Sequence, residues 1–171
     1  MWEIEQLGLD STASSTPESI CACLAKIFQV GETEVALLEL SGRLLNFLYP
    51  AKLKTAGAIP LSSSAVAAVT AQTKRAEIFN SFTQVKHFSV FELVKLGDTG
   101  LDAQVIQKLM SAPIMTPNGG VIGVLQVSRK APSPDAAGPD FTPDDLRRLE
   151  SVARLVGKTH GKGFNLAHVS S

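Results

Sequence analysis

The chain has 171 residues and carries no formal net charge at pH 7, because sixteen Lys and Arg balance sixteen Asp and Glu. This length suits one domain, which buries about 70% of its unfolded surface without disulfide or metal support. The charge balance argues against a protein that binds nucleic acid by neutralising phosphates. We therefore expect no nucleic-acid partner.

Cysteine content and hydropathy narrow the class further. The only cysteines, Cys21 and Cys23, are two positions apart, which excludes a disulfide framework and favours a reducing, cytoplasmic location. The longest apolar run, residues 20–25, is too short to span a membrane. The first 25 residues lack Lys and Arg, which argues against a basic signal peptide. We expect no membrane contact.

The charges are unevenly distributed along the chain. Residues 1–50 have a net charge of −5, whereas residues 51–108 and 109–171 have net charges of +3 and +2. The two ends could attract each other within one chain or between two copies. Alternatively, these charges belong to solvated faces of unrelated helices.

In the first third of the sequence, residues 1–16 are predicted to form a flexible leader, which a helix and a hairpin follow. Thr16 and Pro17 are typical of a helix start, and apolar spacing predicts a helix over 17–29 that stops at Gly31. Apolar runs at 34–40 and 44–49, separated by a glycine turn, predict a β-hairpin at a central sheet position.

The middle third is less regular. Ser62 or Ser63 could cap a short helix that ends near Gln72, and its small residues would let its backbone approach the sheet closely. Residues 76–80 predict a strand. Residues 81–105 are rich in aromatic side chains but show no period, so they could form a lid over a ligand or an ordinary irregular cap.

The last third predicts a second hairpin and a helix. Strands over 106–116 and 121–129 flank a turn at residues 117–120, and residues 131–140 predict an exposed loop. Thr142 and Pro143 begin a helix that reaches about residue 160, and two acids follow in its first turn. The tail, residues 161–171, is expected to fray.

Three segments together resemble the GAF domain family, small-molecule sensors related in shape to PAS domains. They are residues 106–114 (IQKLMSAPI), 120–127 (GVIGVLQV) and 141–149 (FTPDDLRRL), in that order and at that spacing. Residues 73–82 match more weakly, with Asn80 at the polar position of the family pattern. The resemblance covers about residues 17–160.

The resemblance implies an α+β fold of the GAF/PAS type. Its five- or six-stranded antiparallel sheet would carry the helices over 17–29 and 142–160 on one face and a ligand pocket on the other. The domain would occupy residues 17–160, which leaves no room in the chain for an effector unit. A signal would then pass to a separate partner protein.

The sequence departs from several family patterns. The signature associated with cyclic-nucleotide-binding members corresponds here to Arg129, Lys130, Phe141, Asp144 and Asp145, so two of its residues differ. Bilin-binding members and free methionine sulfoxide reductases use a cysteine in the pocket region, and no cysteine follows Cys23. The residues therefore indicate no particular cofactor and no catalytic nucleophile.

Seven residues are candidates for a ligand site. Asn80 could read a ligand with its amide or cap a turn, and His87 could supply a titratable donor or lie on the surface. Phe79, Phe88 and Phe91 could line a cavity or fill the core. Ser111 and Met115 alternate along one strand and so could share its pocket face.

No other group of residues indicates catalysis or metal binding. Cys21 and Cys23 are about 200° apart on a helix, and the three histidines lack the spacing of metal ligands. We therefore predict neither a catalytic set nor a metal site. The predicted function is a non-catalytic sensor that binds an unidentified small molecule and is a homodimer. The alternatives are a dimerisation module with a vestigial pocket and a small redox enzyme of the free methionine sulfoxide reductase type.

Overall fold

The computed structural model describes residues 16–31, 34–49, 58–81 and 105–160. Three α-helices, six strands and one 3₁₀ turn occur in these residues. In chain order they are α1 (Pro17–Phe28), β1 (Val35–Ser41), β2 (Leu44–Tyr49), β3 (Ile59–Pro60), α2 (Val66–Thr73), β4 (Glu77–Phe79), β5 (Val105–Met115), β6 (Val121–Ala131), the 3₁₀ turn (Pro134–Ala137) and α3 (Pro143–Thr159).

The strands form one sheet in the order β3-β2-β1-β6-β5-β4, and every neighbouring pair is antiparallel. Helices α1 and α3 pack on one face, which we call the α1/α3 face, and α2 packs on the other, the α2 face. The six-stranded α+β fold with both terminal helices on one face is therefore confirmed.

Local sequence explains where both terminal helices begin. The Thr16 hydroxyl accepts a hydrogen bond from the Ser19 amide, and the Thr16 amide donates to the Ser19 hydroxyl. Thr142 and Asp145 exchange the same pair of bonds at the start of α3. Each capping box satisfies two amides that the first helical turn leaves without a partner.

The α1/α3 face carries the larger part of the apolar core. Alternate residues of the central strands face the two helices, as the two-residue period of a strand requires. The buried side chains are Leu37, Met110, Ala112, Ile114, Leu125 and Val127 from the sheet, and Ile20, Leu24, Phe28, Leu149, Val152 and Val156 from the helices.

Alanines explain how closely α2 lies on its face of the sheet. Ala67 and Ala68 are fully buried and pack in one cluster with Leu38 and Val124. The predicted close approach is confirmed, but the predicted capping by Ser62 or Ser63 is wrong. The N-cap of α2 is Ala65, which makes no side-chain capping bond. The helix therefore begins without a side-chain cap, and its alanines are buried against the sheet.

Several predicted boundaries of helices, strands and loops differ from those in the structure. Helix α1 ends at Phe28, one residue before its predicted end, and the residue that caps it in the left-handed conformation is Gln29 instead of the expected Gly31. β3, which the sequence did not predict, pairs with β2 through Leu44 and Leu45. The predicted loop at 131–140 contains the 3₁₀ turn, and β6 continues into its first residue.

Gly157 lets α3 contact the end of β5. A Cβ atom at this position would lie 1.9 Å from the Met115 carbonyl oxygen. Real Cβ atoms do not approach an oxygen so closely, so any larger residue would push the helix and strand apart. This glycine therefore sets the distance between the last turns of α3 and the sheet.

Candidate functional site

A polar cluster lies on the otherwise apolar α2 face, with Ser111 of β5 at its centre. The Ser111 hydroxyl is 2.7 Å from the Thr70 hydroxyl of α2 and accepts a hydrogen bond from the Gln126 side-chain amide at 3.2 Å. Ser111 and Thr70 are almost completely buried. Buried polar groups are costly unless they are paired, and these are paired with one another.

The strand register extends this cluster into a row. Ser111 lies opposite Gln126 on one side and opposite Glu77 on the other. Directly paired residues of an antiparallel sheet share a face. A carboxylate, a hydroxyl and an amide therefore lie side by side across β4, β5 and β6. We call Glu77, Ser111 and Gln126 the polar row.

Asn80 joins the end of β4 to the start of α3. Its side-chain amide donates to the Phe141 carbonyl at 3.0 Å, and its side-chain carbonyl accepts from the Phe141 amide at 2.8 Å. Both polar ends of this side chain thus contact the backbone of one residue, which lies immediately before the N-cap of α3. We call this pair of bonds the Asn80 clamp.

Phe79 and Met115 lie at opposite ends of the region around the polar row. Phe79 is half-buried and packs against a small cluster of Val66, Ile106 and Leu109. Met115 is half-buried at the end of β5, where the pairing with β6 shifts and Val121 lies opposite it. The site assignment of both residues stays a prediction.

The other three candidates, His87, Phe88 and Phe91, lie outside the described residues, as does the rest of the segment 82–104. The predicted roof of the ligand pocket falls on this segment. The pocket therefore stays a prediction as well. The described candidates that share one region are Phe79, Asn80 and Ser111, carried by β4 and β5.

The residues at the signature positions connect β6 to α3 and to β1. The Arg129 guanidinium lies over the Phe141 ring, 4.7 Å from its centre. The Lys130 amide donates to the Glu34 carboxylate at 2.7 Å, Asp145 caps α3, and Asp144 pairs with Arg147. Each of these contacts stabilises the fold locally.

A buried cation lies on the neighbouring part of β5. Lys108 faces the α1/α3 side, where its ammonium pairs with Asp140. Its side chain is 9% exposed, whereas that of Asp140 is 66% exposed. A buried ammonium needs such a carboxylate to offset the loss of hydration, so this pair ties the loop before α3 to the sheet.

An open groove of about 450 Å³ separates β4 from the first turns of α3. Apolar side chains and both signs of charge border it. Its lining residues are Ala76, Glu77, Ile78, Phe79, Pro143, Leu146, Arg147 and Glu150. The Asn80 clamp lies beside this groove, since Asn80 follows Phe79 and Phe141 precedes the capping residue of α3.

The cysteines lie away from the polar row. Cys21 and Cys23 are both buried in α1, on the α1/α3 face. Desolvation by burial raises the pKa of the Cys21 thiol well above its ordinary value, and the charge of Glu18 raises it further.

Within the ranges that the structure describes, no three His, Cys, Asp or Glu side chains come together as metal ligands. None of the helices described here is long and apolar enough to cross a bilayer.

Sequence reasoning missed Thr70 and Gln126. Gln126 interrupts the apolar run of residues 121–127, and that polar interruption was the available signal. Thr70 carried no such signal, because its partner Ser111 is 41 residues away.

The sequence was compared with models of known protein families, and one of them matches most of the chain. The model of the GAF domain matches residues 20–159. None of the curated proteins matches the sequence.

Solved structures share the fold at low sequence identity. A GAF domain of a Coxiella burnetii phosphoenolpyruvate-protein phosphotransferase is 8% identical, with a TM-score of 0.67 over 90% of this chain and 86% of that one. The corresponding domain from Acinetobacter is 15% identical, with a TM-score of 0.63 over 90% and 85%. The GAF domain of A. aeolicus nlh2 in an inactive state is 15% identical, with a TM-score of 0.61 over 90% and 89%.

Proposed function

Because the chain belongs to the GAF domain family, we propose that it is a non-catalytic sensor domain that binds a small molecule. Binding would act through the terminal helices or through a separate effector protein. The family match supports the regulatory class, and the polar groups of the α2 face support binding of a ligand.

The observation that carries this proposal is the difference between the two faces of the sheet. The α1/α3 face of β5 and β6 presents Met110, Ala112, Leu125 and Val127 to the helices. The α2 face of the same strands carries Ser111, Gln126 and Ser128, all buried. A core that serves only stability gains little from buried hydroxyl and amide groups, because their desolvation offsets most of each hydrogen bond.

These groups indicate the chemistry of the ligand. A hydroxyl and an amide recognise neutral polar groups by donating and accepting hydrogen bonds. Leu109, Phe79 and Ile106 provide apolar contact beside them. We therefore propose a small ligand that is partly apolar and carries hydrogen-bonding groups, bound toward the β4 and β5 side of the α2 face.

Thermal unfolding in the presence of nucleotide, amino-acid and aromatic-acid panels tests this proposal. A compound at 100 times its dissociation constant stabilises the folded state by about 2.7 kcal/mol, which is a readily measured shift in Tm. If no compound of any class shifts Tm, the result contradicts the ligand-binding proposal.

A matched pair of variants locates the binding site. Gln126→Leu removes the amide of the polar row, and Lys26→Gln changes an exposed residue on the outer surface of α1. The Tm shift caused by a panel compound should fall in the first variant and persist in the second. An equal loss in both would place binding elsewhere.

The positions of the cysteines argue against the enzymatic alternative. A free methionine sulfoxide reductase would need a reactive thiol in the pocket region. Both cysteines of this chain lie in α1, behind the sheet from the polar row, and the raised pKa of Cys21 keeps its thiol protonated. Thiols react as thiolates, so Cys21 is poorly suited to nucleophilic chemistry.

A second candidate function is self-association. Arg147, Arg154 and Lys158 are exposed along α3 at spacings that place them on one side of the helix. The first fifty residues carry a net charge of −5. We propose that two copies associate by pairing these opposite charges, and that each dimer transmits its state through α3.

A further inference from the structure

The Asn80 clamp connects two parts of the molecule that the chain brings together only in the folded state. Asn80 and Phe141 are 61 residues apart. The two hydrogen bonds use both the donor and the acceptor of the Asn80 amide, so this side chain holds the Phe141 backbone in one orientation. A single hydrogen bond would leave the contact free to rotate.

One end of the clamp is coupled to the polar row. Asn80 directly follows β4, whose Glu77 pairs with Ser111 and whose Phe79 pairs with Leu109. Ser111 in turn bonds Thr70 and Gln126. A shift of Ser111 therefore moves β4 through backbone pairing, and Asn80 moves with β4.

The other end of the clamp holds the start of α3. Phe141 is buried under the Arg129 guanidinium, and the next residue, Thr142, caps the helix. The Leu146 amide donates to the Thr142 carbonyl at 3.0 Å, which closes the first helical turn. The orientation of Phe141 thus affects whether this turn is closed.

A groove beside the clamp separates parts of β4 and α3. About 450 Å³ of open space lies between them, lined by Ile78 on one side and Leu146 on the other. The two hydrogen bonds of the Asn80 clamp link the two elements at the edge of this groove.

We propose that the Asn80 clamp couples the polar row to the first turn of α3. Rearrangement at Ser111 loosens or tightens this turn through β4, Asn80 and Phe141. The inference deepens the proposed sensor function and rests on it for its biological role, because it supplies the route from the binding face to the terminal helix. Asn80 then acts as a positioning residue rather than as a ligand contact.

Hydrogen exchange in a double-mutant cycle tests the coupling without any ligand. Ser111→Ala perturbs the polar row, and the Leu146 amide reports opening of the first turn of α3. We expect Ser111→Ala to speed exchange at Leu146 by about threefold relative to a reference amide in the centre of the sheet. In an Asn80→Ala background, Ser111→Ala should not change the exchange rate at Leu146 relative to the reference amide.

Gln107→Ala is the matched control. Like Asn80, Gln107 has a side-chain amide that donates to a backbone carbonyl, that of Ala131, at 2.9 Å. Its bond leads to β6 and not to α3. In a Gln107→Ala background, Ser111→Ala should still speed exchange at Leu146 by the same factor.

Two results would overturn the proposal. Exchange at Leu146 could respond to Ser111→Ala equally with and without Asn80, in which case the clamp is only structural. Alternatively, exchange at Leu146 could fail to respond to Ser111→Ala in the otherwise unchanged chain.

If Asn80→Ala does not fold, Asn80→Asp replaces it in the test, because it keeps the acceptor for the Phe141 amide and loses the donor. The response should then be reduced, and a full response contradicts the proposal. A ligand screen without hits would contradict the sensor function and leave this cycle unaffected.

Discussion

Cys21 shows how one buried side chain can make the stability of the whole fold depend on pH. It is 1% exposed in the core between α1 and the sheet, and Glu18 lies one turn before it. Desolvation and then the Glu18 charge raise the pKa of its thiol above the ordinary value of 9.0. The unfolded chain therefore releases this proton at a lower pH than the folded chain.

The sign of the pH effect follows from this difference. Below about pH 9 both states keep the proton and the stability contribution is fully present. As the pH rises above 9, the unfolded state ionises first, so the free energy of unfolding falls by up to about 1.4 kcal/mol per pH unit. Urea unfolding between pH 8 and 10 should show this loss, and Cys21→Ala should lose less over the same range. Equal slopes for the two proteins would contradict the assignment.

The sequence alone supplies Asn80, at the end of an apolar strand, and Ser111, on a possible pocket face, as candidates for the ligand site, and that role stays a prediction. The hydrogen-bond partners of the two residues could not be predicted. Asn80 bonds a backbone 61 residues away, and Ser111 bonds a hydroxyl 41 residues away. Such pairs depend on the register of the sheet, which no local pattern specifies.

Among the helices and strands, those whose start depends on neighbouring residues could be predicted, and those that depend on distant contacts could not. Helices α1 and α3 begin at a Thr-Pro pair, and the caps that this pair forms are complete within four residues. The start of α2 and the existence of β3 depend on burial and on pairing with distant strands. The sequence around them therefore predicted the wrong cap and no strand.

Gly157 supports a prediction about how α3 packs. Gly157→Ala would place a methyl group against the Met115 carbonyl, so we expect the free energy of unfolding to fall by about 3 kcal/mol. Gly120→Ala is the control, since its Cβ would meet only the Thr116 hydroxyl at 3.6 Å. Its effect should stay within about 0.5 kcal/mol. Urea denaturation measures both, and a tolerated Gly157→Ala would show that α3 can shift without cost.

For the whole molecule, the proposed self-association depends on the opposite charges of α3 and the first fifty residues. Arg154→Glu combined with Lys158→Glu should weaken a dimer in analytical ultracentrifugation, because two exposed cations become anions. Arg75→Glu, an exposed change outside the helices, is the control and should leave the dimer intact.

Salt provides a second measurement of the same association. The Debye length falls from about 10 Å at 0.1 M to about 3 Å at 1 M, so a dimer held by exposed charges should dissociate as salt increases. A monomer at high protein concentration in low salt would contradict self-association. A dimer that salt does not affect would place the contact on another surface.

The outline of the sheet has a consequence for the behaviour of the protein at high concentration. The central strands β5 and β6 are 11 residues long, whereas β3 and β4, at the two ends of the described sheet, have two and three residues. Long, flat outer strands offer backbone groups to other chains and seed fibrils. With so few residues at either border, and Pro60 in one of them, the described part of the sheet offers little template for growth beyond its six strands.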